Sequence, residues 1–249
     1  MQISNNTTVP SYHSTVTNNN NVNHVSSGFD ALLNEQKQVP QKEEGKVISF
    51  LEKYNEFDSL SNNDKKVFKD ILADDSISMQ EMDSLSYDQA QKLFNLVLPK
   101  QLSKEDLLQM PITGFSSQIG AMLYSTQMTK NEDFNKAMYK TSREITSDND
   151  RQTITRAVHF NLSQAKNDRE LDPFFSDYEY RPSFNEIENI NSEIDFSQFL
   201  SDIIEVHKKG MEETKFPTIK KQYQDLLEGY SIIQKHYNDV LNEKRDTYV

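Results

Sequence analysis

Residues 217–241 read PTIKKQYQDLLEGYSIIQKHYNDVL, and their spacing decides the fold. Ile219, Leu226, Ile233 and Val240 recur every seventh residue, and Tyr223, Tyr230 and Tyr237 keep the same interval between them. A seven-residue interval returns a side chain to nearly the same face of an α-helix, so the two series form one continuous seam. At 1.5 Å per residue the helix that carries it is roughly 40 Å long. Leu227, Ile232 and Leu241 fall beside the seam and widen the apolar band beyond a two-stranded coiled coil. A third element, or a partner, must cover the surplus.

The first covering element lies just upstream. Phe196, Phe199, Leu200, Ile203 and His207 recur at helical spacing and end before Gly210. A short polar connection then leaves the chain no choice but to double back, which predicts an antiparallel helical hairpin, residues about 184–209 against 218–245. Tyr223, Tyr230 and Tyr237 are then either core or a recognition surface. The second role is expected because tyrosine combines a large rigid contact area with a polar tip.

Working further towards the N-terminus, apolar positions keep helical spacing back to residue 46, and alternating β-branched runs are nearly absent. The fold class is therefore all-α: short helices packed with the long hairpin. Ser61 with Asp64, Ser78 with Glu81, Ser86 with Gln89 and Ser103 with Asp106 all stand where a helix N-terminus wants a hydroxyl and a group three residues on. Closely spaced starts mean short helices meeting at steep angles. Residues 46–167 form this helical body. Residues 168–182 break the pattern with two prolines and a cluster that includes Phe174, Phe175 and Tyr178. Such a loop either anchors itself on the body or offers a docking patch, and residues 183–249 supply the hairpin.

Residues 1–45 behave differently. Residues 1–27 hold seven Asn with many Ser and Thr and hardly an aliphatic side chain, too little apolar surface to offset the entropy of ordering. The expectation is a disordered leader and linker.

Composition narrows the function. The formal charge of −12 repels phosphates and anionic headgroups, so nucleic acid is not an expected partner. No apolar run approaches the roughly 18–20 residues that span a bilayer, and membrane insertion is not expected. The absence of Cys removes disulfides and thiol chemistry and suits a cytoplasmic setting. The five His include no HExxH and no pair at i, i+4, and His159 and His207 read as packing or surface residues. A calcium loop fits Asp70, Asp74 and Glu81 but places Leu72 third and Asp75 where a Gly is wanted. A tight acidic turn before a capped helix explains the same residues. No catalytic residue, metal or cofactor is expected; an enzyme of unfamiliar type would have to work near Asp172 or Glu179 in the aromatic loop.

MQISNNTTVPSY with its Asn-rich tract, DILADDSISMQEMDSLSYDQAQKL (70–93) and IGAMLYSTQMTKNEDFNKAMYKTSREI (119–145) resemble uncharacterised helical proteins of flagellated epsilonproteobacteria. The polar start also resembles the N-termini of flagellar (type III) export substrates. That resemblance implies a bacterial, flagellum-associated setting and, as an alternative, secretion by that route with the leader as signal. The leading expectation is a non-enzymatic helical protein that binds other proteins.

Overall fold

The computed structural model describes residues 45–99, 102–112, 117–166, 171 and 194–247. Their elements, in chain order, are α1 (Lys46–Lys53), α2 (Asn62–Ile71), a 3-10 turn (Leu72–Asp74), α3 (Met79–Ser84), α4 (Tyr87–Val97), α5 (Lys104–Leu107), α6 (Ser117–Ser125), α7 (Glu132–Glu144), α8 (Asp148–Lys166), α9 (Phe196–Glu213) and α10 (Pro217–Thr247). The fold is all-α, with no strand among the described residues.

Local sequence sets the starts. Ser78 and Ser86 each accept from the backbone amide three residues on, while Glu81 and Gln89 reach back to the serine amide, closing two capping boxes. Ser61 caps α2 through the Asp64 amide, and Asn131 caps α7 through that of Phe134. The start of α1 is capped from a distance. Asp75 holds a left-handed backbone, φ 61°, and its Oδ1 accepts the Val47 amide at 2.8 Å. A side chain at Gly45 would meet the Leu72 carbonyl at 2.7 Å and Asp75 Oδ1 at 2.9 Å, so only glycine lets the acidic turn seat there.

Two apolar clusters follow from the faces these helices bury. The first joins α1 to α4 with α6: Leu51, Phe68, Leu72, Met82, Leu93 and Met122 lie at its centre. The second joins α7 to α10, around Phe134, Val158, Leu200, Ile203, Tyr230 and Ile233. Helix α6 serves both, with Ile119, Met122 and Leu123 in the first and Tyr124 against the second. Tyr139 of α7 crosses into the first cluster, where its hydroxyl lies 3.2 Å from the carbonyls of both Met82 and Leu85. Burial pushes the pKa of this phenol up to about 12.

The hairpin is antiparallel, as the descending pairs show: Phe196 with Tyr237, Ser201 with Gln234, His207 with Tyr230, and Gly210 with Tyr223. Its first arm departs from the sequence expectation. Helix α9 does not stop before Gly210 but runs through it to Glu213, because the missing side chain is the seat of the Tyr223 ring. The described part of that arm begins at Phe196, and residues 184–193 lie outside the described residues.

Helix α10 is 31 residues long, about 46 Å, and α9 alone does not cover it. The surplus apolar band meets α7 and α8. Helix α7 also runs antiparallel to α10, with Asp133 facing Lys244, Lys140 facing Glu243 and Glu144 facing His236. Helix α8 reaches α10 at Gly229, where an added side chain would meet Ile154 Cδ1 at 2.7 Å.

Candidate functional site

Two places carry chemistry: the polar interior of the second cluster and the tip of the hairpin. The interior holds the tyrosines singled out by their heptad spacing. Tyr223, Tyr230 and Tyr237 are 9%, 0% and 6% exposed, so all three lie inside the fold. This corrects the recognition expectation for them, since a side chain in the interior has no surface to offer a partner. Phe174, Phe175 and Tyr178, the other expected contact residues, lie outside the described residues, as do Asp172 and Glu179.

Each buried tyrosine has a specific neighbour. Tyr237 packs its ring edge against Phe134, with centroids 6.0 Å apart, and beside Phe196 at 6.4 Å. Asn161 donates to the Tyr230 hydroxyl at 3.2 Å and also to the Ala157 carbonyl. Burial raises the Tyr230 phenol far above its ordinary range, so it stays neutral. The His207 ring lies 5.2 Å from that of Tyr230 and 6.0 Å from that of Tyr223. Its Nδ1 is 2.7 Å from the Ile203 carbonyl, which can only accept, so Nδ1 carries a proton and donates it there.

His159, one face away on α8, shares a hydrogen bond of 2.9 Å between its Nδ1 and the Tyr124 hydroxyl. Burial lowers its pKa to about 4, so the imidazole is neutral at physiological pH. Both histidines were expected as packing or surface residues, and both are packed inside.

Arg151 is the one buried guanidinium among the described residues. Its Nε donates to the Ser142 carbonyl at 2.6 Å, another nitrogen donates to the Ile145 carbonyl, and the third pairs with Asp148 at 2.9 Å. Those carbonyls belong to the end of α7, where no intrahelical partner exists, so the planar fork stitches the α7–α8 corner. Asn135 likewise exchanges bonds with the backbone of Thr129. Asn161, Arg151 and Asn135 thus bond backbone and neighbouring side chains. The acidic stretch that partly fits a calcium loop follows the same economy: Asp74 holds Ser76, Asp75 caps α1 and Glu81 closes its box. No group of three or more His, Asp or Glu is placed to hold a metal among the described residues.

The second place is the hairpin tip, residues 208–221, KKGMEETKFPTIKK. From Lys208 to Gln222 the residues are exposed or half-buried, Ile219 of the seam included, and the buried part of the seam begins at Tyr223. Phe216 is 68% exposed, with Met211 and Ile219 half-buried on either side of it in sequence. Five lysines stand here against Glu212 and Glu213, a local excess of three positive charges in a chain of −12. Of these five, only Lys221 makes an ion pair among the described residues, with Asp225 at 2.6 Å. Leu108 is the other large exposed apolar residue, but it stands alone after the four-residue α5.

The spacing rules that found the seam could not find this tip, because an exposed Phe in a connection has no period. Its only trace in the sequence is the reversal of charge sign around KFP. No helix among the described residues is long and apolar enough to cross a membrane. No family model, curated protein or solved structure matches the chain.

Proposed function

We propose that this chain is a non-enzymatic interaction protein: a helical scaffold that holds the α9–α10 hairpin tip out for a protein partner. The observation that carries the reading is Phe216, a large aromatic side chain left 68% exposed at the turn of a hairpin whose other described Phe and Tyr rings are buried. Leaving a phenylalanine in water forgoes about 2 kcal/mol of burial, which a partner recovers on contact. The buried tyrosines and histidines support the same reading from the other side, because their hydrogen bonds run to backbone and to each other. The interior is thereby a stiff support for the tip.

The test compares two substitutions in the full chain. Phe216→Ser changes an exposed residue, so the melting temperature stays within about 2 °C of the parent. The same change removes the partner recovered when the parent protein is crosslinked in its native cell. Tyr230→Ser, in the interior, lowers stability by about 3–5 kcal/mol. An identical set of crosslinked partners for the parent and Phe216→Ser ends the proposal.

A further inference from the structure

We infer that the hairpin tip binds an acidic peptide segment, with carboxylates on the lysines and an apolar residue over Phe216. This rests on the tip being the interaction surface and adds the chemistry of what docks there.

The charges argue for it. Lys208, Lys209, Lys215 and Lys220 are exposed, and none makes an ion pair among the described residues. Lys208 and Lys209 lie in the last two turns of α9 and Lys220 and Lys221 in the first two turns of α10, so the lysines of both arms gather towards the turn that carries Phe216. Clustered ammonium groups repel one another, and an arriving carboxylate relieves that repulsion while pairing. Elsewhere the chain carries an even larger negative excess than −12, since the tip subtracts from it. A short acidic segment feels mainly the tip. An extended polyanion, such as nucleic acid or a bilayer surface, also faces the acidic remainder and is repelled. Size therefore selects the peptide over the membrane.

The apolar part argues for an anchor. Phe216 precedes Pro217, the first residue of α10, and proline's fixed φ narrows the conformations open to the turn. Thr214 steadies it further, its hydroxyl accepting the Phe216 amide at 3.3 Å. A ring held on a constrained turn loses little freedom on contact, which is the property of a recognition anchor. Met211 and Ile219, half-buried nearby in sequence, extend the apolar surface to either side.

The experiment uses the full chain and a labelled amphipathic peptide with Leu and Phe along one face and Glu on the others. A second peptide has Lys in place of Glu, and phosphatidylserine vesicles form a third arm. Because the chain has no Trp, Phe216→Trp supplies a single indole reporter at the tip. The expected result is binding of the Glu peptide, measured by anisotropy, with a blue shift of the indole emission and affinity that falls as salt rises. Lys208→Gln, Lys209→Gln, Lys215→Gln and Lys220→Gln together weaken it by roughly tenfold or more with an unchanged melting curve. Absence of Glu-peptide binding, or binding that the four Gln leave unchanged, overturns the inference. So does preference for the Lys peptide or for vesicles. A photoreactive group at position 216 separates the two levels: crosslinks there to a neutral or basic protein segment keep the tip as an interaction surface and reject an acidic ligand. Absence of any crosslink rejects both.

Discussion

At the scale of single residues, the second cluster contains polar side chains whose protonation state is set by burial. His159 is the clearest case. Its neutral form is favoured down to about pH 4, whereas an unfolded histidine takes up a proton near 6.5. Between those values the unfolded chain binds the extra proton, so stability present above about 6.5 is lost as the pH falls towards 4. The shift corresponds to a loss on the order of 3 kcal/mol. Replacing His159 by Gln, which can still bond Tyr124 but does not titrate, flattens that part of the curve. Chemical denaturation of both proteins at a series of pH values between about 7 and 4.5 measures it, and parallel curves would show that His159 is not the responsible group. Asp64, whose pKa is lowered chiefly by its bond from Lys92, acts at more acidic pH, while Glu56, raised by burial, is common to both proteins and drops out of their difference.

Glycines of the hairpin dominate the scale of the elements. Sequence reasoning treats Gly210 as a stop, and helix propensity by itself sets Gly229 about 1 kcal/mol below Ala. Each instead marks a contact surface. Gly210 seats the Tyr223 ring, and Gly229 lets α8 approach α10 until Ile154 fills the space of the missing side chain. Gly229→Ala should therefore lower stability by about 1–3 kcal/mol, despite the better helix propensity, because the added methyl overlaps Ile154. Ile154→Val removes the Cδ1 that would lie 2.7 Å from that methyl, and in the Gly229→Ala background it restores part of the loss. A double-mutant cycle by urea denaturation reads the coupling, and strict additivity of the two changes would contradict the packing. The capping boxes belong to the same scale, and there local sequence was sufficient. Ser78–Glu81 and Ser86–Gln89 involve residues three apart, so no distant part of the chain can alter the pairing rule.

For the whole molecule, the question is how two apolar clusters behave as one. Helix α6 contributes to both, and Tyr139 links them through the carbonyls of Met82 and Leu85. Arg143 adds a bond from α7 to the Asp83 carbonyl. The ion pairs between α7 and α10 lie within the second cluster and do not couple it to the first, so Tyr139 and Arg143 are the α7 side chains that reach across. Tyr139→Phe keeps the ring but takes its hydroxyl from the Leu85 carbonyl and from the Met82 carbonyl, which keeps the Leu85 amide, and is expected to cost about 1–3 kcal/mol. Tyr139→Ala also empties the space and should split or broaden a single calorimetric transition. An unaltered, single sharp transition in Tyr139→Ala would show that α6 alone couples the clusters.

What the sequence determined by itself was whatever depends on neighbours along the chain. Helical periodicity, the serine caps, the heptad seam of α10 and the antiparallel return after a short connection all follow from spacings of three, four and seven residues. Only tertiary structure decided which faces meet. It made Tyr223, Tyr230 and Tyr237 interior, where spacing left core and recognition surface both open, because α7, α8 and α9 together enclose the band that a single partner helix leaves open. It made Gly210 part of a helix, and it left Phe216 outside among lysines. Burial is a property of what lies opposite a side chain in space, and distant parts of the chain supply it here: Asn161 opposite Tyr230 is 69 positions away, and Asp133 opposite Lys244 is 111.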